Sequence, residues 1–338
     1  MCGTATAYGL LSYLTAYLKT HYPLEFYAAL LTAKSDRTEK VSVIINDCKS
    51  MGIKVLSPNI NRSDFSFSID KEKNEILFGL MAVKGIGESI VQKIIDNRPY
   101  NSLDDFIEKI KDKSAIVTLI KAGATPSKNK MKSLRHYAER TFPKSEYKPV
   151  STLPTYPKLI DLGYDLEKYR TGTKKYDYNK ERLLCDYNKQ RERDFNSAQQ
   201  EKFQKYMTEF YTKYAQNEFL WEFETLSMFI TNDPLKQAYQ FITIPWNEVQ
   251  ENEKAVLCCV ITDIKRKKDK NGNQFAYLDL YTPFGIIEAT IWSSQLKEYS
   301  DLIKKGNCLA IKGRKREGEH FFVEKVKPYV KWIEERKR

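Results

Sequence analysis

The sequence predicts a multidomain α+β protein: a mostly helical N-terminal module, a variable connector and a C-terminal five-stranded β-barrel. Three observations predict it. Apolar residues recur at helical spacing between residues 4 and 51, the composition shifts to tyrosine, proline and charge after Gly123, and two-residue alternation dominates after Ala255. A length of 338 residues accommodates several domains. The net charge is +12, from 56 Lys and Arg against 44 Asp and Glu. Basic segments flank an acid-rich stretch at 221–254, a distribution that suits a polyanionic partner.

Leu10, Leu11, Leu14, Tyr17 and Leu18 form one helical stripe. Pro23 breaks that helix and opens a second, Leu24 to Thr32. A third runs from Thr38 to Met51 and stops at Gly52, a C-cap residue. Phe65, Phe67 and Ile69 alternate with polar residues, and Ile76 and Phe78 do so again after the polar turn Lys71–Asn74, which predicts a β-hairpin. It leads into Lys84-Gly85-Ile86-Gly87-Glu88-Ser89 and an amphipathic helix carrying Ile90, Val91, Ile94 and Ile95. Two glycines around one aliphatic residue allow a tight turn between helices, and without Cβ atoms its N–H groups can approach a phosphate. This is the logic of a helix-hairpin-helix, which grips nucleic-acid backbone without reading sequence. It nominates Lys84, Gly85, Ile86, Gly87 and Ser89 as duplex-backbone contacts. Ser102, followed by Asp104 and Asp105, caps a further short helix.

Prolines 126, 143, 149, 154 and 157 punctuate the segment 125–220, where aliphatic residues are sparse. It is expected to be a Tyr/Lys-rich connector with a modest core, helical near Gln199 to Phe219.

Ala255–Ile264 is an apolar strand, followed by an expected basic loop, Lys265 to Asn273, with an Asn-Gly turn. Phe275–Tyr281 alternates, with Ala276, Leu278 and Leu280 inward and Phe275, Tyr277 and Asp279 outward. After Pro283-Phe284-Gly285, Ile287, Ala289 and Ile291 alternate with Glu288, Thr290 and Trp292. A helix from Ser294 to Leu302 precedes strands at Asn307–Gly313 and His320–Val326. Three strands, a helix and two strands is the order of an OB-fold. The single-strand-binding candidates are Lys265, Arg266, Lys267, Lys268, Lys270, Phe275, Tyr277, Trp292, Arg314 and Lys315: cations for phosphates, rings for bases.

Catalytic and metal residues are not expected. The six cysteines and three histidines show no metal-type spacing, and adjacent Cys258 and Cys259 point to opposite faces of a strand. No Asp-x-Asp pair falls on a strand. Asp161 and Asp165, like Asp104 and Asp105, read as caps or solvated charge. Met1–Thr20 lacks a signal-peptide pattern and no apolar run reaches membrane-span length, so a cytoplasmic protein with no membrane partner is expected.

Several stretches carry a family resemblance. Thr6-Ala7-Tyr8-Gly9-Leu10-Leu11-Ser12-Tyr13 and Tyr17-Leu18-Lys19-Thr20-His21-Tyr22-Pro23-Leu24-Glu25-Phe26 resemble the fingers of the alpha subunit of bacterial DNA polymerase III, a C-family replicative polymerase. Met51–Asn61, Phe78-Gly79-Leu80 through Gly87-Glu88, Leu119–Ala124 and Glu224–Leu235 continue the likeness in the family's order, as does the barrel with Gly285, Glu288 and Trp292. The resemblance divides the chain into distal fingers (1–60), a β-hairpin with helix-hairpin-helix (61–124), the connector (125–220), a pre-barrel segment (221–253), the OB-fold (254–330) and a basic tail (331–338). It covers 4–124 and 221–328. The family's palm, whose carboxylates hold two Mg²⁺ ions, has no counterpart in this sequence. Met1-Cys2-Gly3-Thr4 also stands where the family has Phe-Asn-Lys-Ser-His. The resemblance therefore implies the DNA-binding C-terminal portion of an alpha subunit, split or phage-encoded, inactive alone. It holds no cofactor, needs Mg²⁺ only in a palm-containing partner polypeptide, and binds duplex and single-stranded DNA in a bacterial or phage-infected cell. A sliding clamp is a further partner the family implies, with Gln199–Phe203 and Gln216–Leu220 as the candidate peptides. The alternative is a free-standing DNA-binding accessory protein or an inactive polymerase fragment.

Overall fold

Three helices come first: α1 (Cys2–His21), α2 (Pro23–Ala33) and α3 (Thr38–Ser50). The computed structural model describes residues 2–35, 38–127, 129–241, 246–316 and 320–337. Pro23 occupies the first turn of α2, where its absent N–H leaves no bond unmade. Gly52 follows α3 at φ +74°, the left-handed conformation expected of a C-cap. Leu24, Tyr27, Leu31, Val41, Ile45 and Cys48 are buried on the inner faces of α2 and α3.

A small sheet follows, with β1 (Lys54–Leu56), β2 (Ser68–Asp70) and β3 (Glu75–Leu77) in the order β1-β3-β2. β2 and β3 form the predicted antiparallel hairpin, pairing Ile69 with Ile76. β1 adds to it in parallel, an addition that three residues of sequence give no periodicity to reveal. Gly79 then passes so close to the preceding loop that a Cβ would lie 2.6 Å from the Ser66 carbonyl carbon. A single 3-10 turn at Leu80–Ala82 leads to α4 (Glu88–Asp96), α5 (Leu103–Ile110) and α6 (Lys113–Ala122).

The chain forms two units, one comprising Met1–Leu134 with Asn217–Arg338 and the other Arg135–Gln216. α7 (Lys130–Thr141) crosses into the second unit, which also contains α8 (Tyr156–Asp161) and the 35-residue α9 (Lys180–Tyr214). Its core is small: buried Leu159, Leu166 and Leu183, ringed by Leu153, Tyr156, Tyr164, Tyr169, Tyr178 and Tyr187. Helix was expected near Gln199–Phe219; α9 instead begins at Lys180, capped by the Asn179 side chain on the Arg182 N–H, and stops at Tyr214. The first half of α9 escapes periodicity because it is polar nearly all round.

In the first unit α10 (Trp221–Leu226) places Trp221 in the core. The barrel comprises β4 (Lys254–Lys268), β5 (Gln274–Thr282), β6 (Gly285–Ile291), β7 (Cys308–Lys315) and β8 (Phe321–Pro328), with α11 (Ser293–Glu298) between β6 and β7. Its order, β4-β5-β6-β8-β7, is closed, and β6 and β8 pair in parallel. This is the five-stranded OB arrangement. Leu257, Ile261, Leu278, Leu280, Ile287, Ile291, Ile311, Phe321 and Val323 fill it. At Gly313, beside a bulge in the β7–β8 ladder, a Cβ would stand 2.1 Å from the Phe322 carbonyl oxygen. Cys259 lies in the barrel core, whereas Cys258 faces outward beside Trp332 and Arg336. Those two residues belong to α12 (Tyr329–Lys337); the segment expected as a basic tail is this helix, with Trp332 and Ile333 buried.

The barrel is joined to the helical part by specific contacts. Asn46 donates to the Pro283 carbonyl. Ser57 and Thr231 share a hydroxyl hydrogen bond of 2.9 Å, and Lys49 lies 3.7 Å from Asp233. Buried Glu222 accepts from the Ile230 and Thr231 N–H groups and the Thr231 hydroxyl, fixing the loop before the barrel. No described helix is long and apolar enough to cross a membrane.

Candidate nucleic-acid interfaces

The first candidate site is the turn before α4. Gly85 takes φ +79°, and Gly87 stands at the N-cap of α4 in an extended conformation. A Cβ on either would meet nothing within 4 Å, so both glycines face open solvent. Ile86 is buried and pins the turn to the core, and the Lys84 N–H donates to the Thr225 carbonyl at 2.9 Å. Lys84 and Ser89 are exposed. The arm before the turn is the single 3-10 turn at Leu80–Ala82.

The cap of this turn differs from those of the next two helices, which are closed by side chains: Ser102 accepts from Asp105 at the start of α5, and Asp112 from Ala115 at the start of α6. Gly87 supplies none. Among the described residues, the N–H groups of Gly85, Gly87, Glu88 and Ser89 have no protein acceptor. Open donors at the positive end of a helix dipole form an anion site. The α5–α6 turn also passes through a left-handed residue, Lys111, but Asp112 already occupies the N-terminus of α6 with a carboxylate.

The second candidate site is one outer face of the barrel. On β5, Phe275, Tyr277 and Asp279 point outward as expected, while Ala276, Leu278 and Leu280 are buried. The rings form a row. Tyr277 lies edge-on to Phe275 at 5.4 Å, Phe275 stacks with Trp292 at 5.2 Å, and Trp292 lies nearly parallel to Phe322 at 6.3 Å. Phe322 was not among the expected contacts. The signal existed, since Phe321 and Val323 are core residues and alternation turns the residue between them outward.

The cations are placed differently from the expectation. β4 continues through Lys268, so Lys265, Arg266, Lys267 and Lys268 belong to a strand and only Asp269–Asn273 forms the turn. Lys265 pairs with Tyr277 and Lys267 with Phe275, which puts those two lysines on the aromatic face; Arg266 and Lys268 alternate to the other. The Lys267 ammonium lies 5.0 Å from the Tyr277 ring centroid. Lys265 is 3.1 Å from Asp279, whose carboxylate raises the lysine's pKa through their hydrogen bond. Lys270 is exposed at the turn. Arg314 lies outward, 3.6 Å from Glu324. Lys315 does not join this face: it is buried, donates to the Trp246 carbonyl at 3.2 Å and lies over the Trp246 ring.

Of the two peptides considered for a clamp, Gln199–Phe203 is internal to α9, and the second ends in fully buried Leu220.

Fold and site together define a helix-hairpin-helix protein with an OB barrel. A family model for the helix-hairpin-helix motif matches residues 52–134. The DNA polymerase III alpha subunit of Thermus aquaticus is 48% identical over 128 residues, covering 36% of this chain and 10% of that protein. The Aquifex aeolicus subunit is 28% identical over 323 residues, 91% of this chain and 23% of that protein. This chain is therefore a relative of the DNA polymerase III alpha subunit over about nine-tenths of its own length. It spans between a tenth and a quarter of the length of these two curated relatives. Among solved structures, a mitochondrial single-stranded DNA binding protein from S. cerevisiae aligns with 23% of this chain and 94% of its own, at 8% identity and a TM-score of 0.21.

Proposed function

We propose that this chain is a DNA-binding portion of a replicative polymerase alpha subunit. It holds duplex backbone at Gly85–Ser89 and single strand on the β5–β6 face of the barrel. The observation that carries the reading is the uncapped start of α4, with its open N–H groups, in the same unit as a barrel face of rings and lysines. Synthesis then depends on a palm-containing polypeptide that brings the metal-binding carboxylates and their Mg²⁺ ions. The exposed apolar side chains Tyr8, Leu10, Leu11, Tyr13 and Leu14 of α1 support such a partner, because apolar groups grouped on one surface favour burial against another protein. The setting is the cytoplasm of the cell whose DNA is copied.

Primer extension tests the proposal. The purified chain, given primed template, dNTPs and Mg²⁺, is expected to incorporate nothing, and extension is expected to appear when a palm-containing partner is added. Incorporation by the chain alone, free of host polymerase, would refute the dependence on a partner. Failure of the chain to bind either DNA form would overturn the reading as a whole.

A further inference from the structure

The second unit carries a basic loop outside both candidate interfaces. Residues 168–175 hold Lys168, Arg170, Lys174 and Lys175 and no acid. The loop leaves the turn Leu166–Tyr169 and returns to the start of α9 at Lys180. Arg170 and Tyr178 pair across its base, and the Thr171 N–H donates to the Asp177 carbonyl and the Asn179 N–H to the Tyr169 carbonyl, each at 2.8 Å. The Tyr176 ring stacks on Tyr156 of α8 at 5.5 Å, with 9° between the planes, and so braces the tip. Gly172 leaves room for the Asp177 side chain to fold against it, since a Cβ there would collide with that carboxylate. Glu167 grips Arg170 through two hydrogen bonds of 2.6 Å. By contrast, Lys168, Lys174, Lys175 and Lys180 are exposed and have no carboxylate partner among the described residues. The Lys175 ammonium lies 5.6 Å from the Tyr176 ring centroid, and Lys180 borders, with Glu181, a hollow beside Tyr156.

We infer that this loop is a further contact for nucleic-acid phosphates, received by Lys174 and Lys175 at the tip with Lys168 and Lys180 beside them. The inference rests on the proposal that the chain binds DNA and adds a contact in the second unit. Unpaired cations gathered on one surface are the electrostatic footprint of a polyanion partner. Lysine is a mobile point charge that follows phosphates without reading bases. One face of the Tyr176 ring is taken by Tyr156, so the ring serves as a brace and the contact is indifferent to sequence. A loop already held at its base and tip loses little further freedom when it binds.

The test is fluorescence anisotropy of a labelled duplex and of labelled oligo-dT with the full chain across a salt series. Lys174→Gln combined with Lys175→Gln alters two exposed side chains. It is expected to lower the log–log salt slope by about 1.8 if the phosphates belong to a duplex, or by about 1.4 on oligo-dT if they belong to a single strand. Lys174→Arg with Lys175→Arg keeps the charge and is expected to keep the wild-type slope. Lys189→Gln removes one charge from the same unit, but Lys189 already lies 3.6 Å from Asp186, so the slope is expected to stay unchanged. An equal drop per charge with Lys189→Gln would show that net charge alone sets the slope and would overturn the contact. If the double glutamine variant keeps the wild-type slope on both forms while Gly87→Val weakens duplex binding, the contact is refuted, the lysines are left to an acidic protein surface, and the reading of α4 survives. If the wild-type chain binds neither form even at low salt, the DNA reading fails, and the contact with it.

Discussion

Gly87 and Gly79 show how differently two glycines can be used. A Cβ on Gly79 collides with backbone, whereas one on Gly87 enters empty space in front of open N–H groups. Gly79→Ala is therefore expected to cost about 1–3 kcal/mol of stability through overpacking. Gly87→Val, at φ −96°, is expected to fold with a loss of no more than about 1 kcal/mol yet weaken duplex binding about tenfold or more, as charge-assisted hydrogen bonds are lost. Thermal melts and duplex titrations of both variants check this, and unimpaired duplex binding by Gly87→Val would refute the phosphate role. On the barrel, Asp279→Asn is expected to free Lys265 and steepen the single-strand salt slope by about 0.7, read by the same anisotropy series. Much of this residue-level detail was legible in sequence: two-residue alternation sorted β5 and β6 into inner and outer faces. The cations were harder to place. Charged side chains disguised the ends of β4 and β7 as loop, and once those residues are in a strand, neighbours cannot share a face. Arg266 and Lys268 are thereby turned away, and Lys315 is carried inside opposite Phe321.

Among the elements, α1 is attached to its neighbours by a polar clasp. Asp47 of α3 accepts from Lys19 of α1 at 2.8 Å and from Tyr27 of α2 at 2.6 Å. Burial raises the Asp47 pKa, but the bonds from Lys19 and Tyr27 outweigh it, and the net shift is downward from 3.8. The Lys19 pKa moves up from 10.5, chiefly through its bond to Asp47. A depressed carboxylate stabilises above its unfolded value and loses that contribution as pH falls through the folded one. A raised lysine stabilises below its unfolded value and loses it as pH rises through the folded one. Attachment of α1 is thus expected to be level between about pH 4 and 10 and to weaken on either side. Hydrogen exchange of α1 peptides across pH measures this after correction for intrinsic exchange, and Asp47→Asn should abolish the acid limb. The helices themselves announced their starts and stops through Pro23, Gly52 and Ser102. The parallel β1 and the early start of α9 did not, because a three-residue strand and a charged helix carry no apolar rhythm.

At the scale of the whole molecule the two units differ in how much they bury. The first holds the filled barrel and the cores of the helical module, while the second relies on Leu159, Leu166 and Leu183 and, near the end of α9, on Met207 and Phe210. Between Leu183 and Met207, α9 has no buried residue. The second unit is expected to lose protection first on heating, beginning in that span of α9, with the barrel strands last. Peptide-resolved exchange along a temperature ramp reports the order, and simultaneous loss in both units would contradict it.

The uncapped start of α4 also bears on what the protein is when no DNA is present. A helix end without acceptors is one whose first turn opens readily, and here the chain provides no group to close it. A phosphate arriving at Gly87 and Glu88 would complete the helix in the act of being held. The backbone of the nucleic acid would then serve as the cap that the sequence omits, and part of the binding free energy would go into ordering the first turn, so that folding of that turn and recognition are one event.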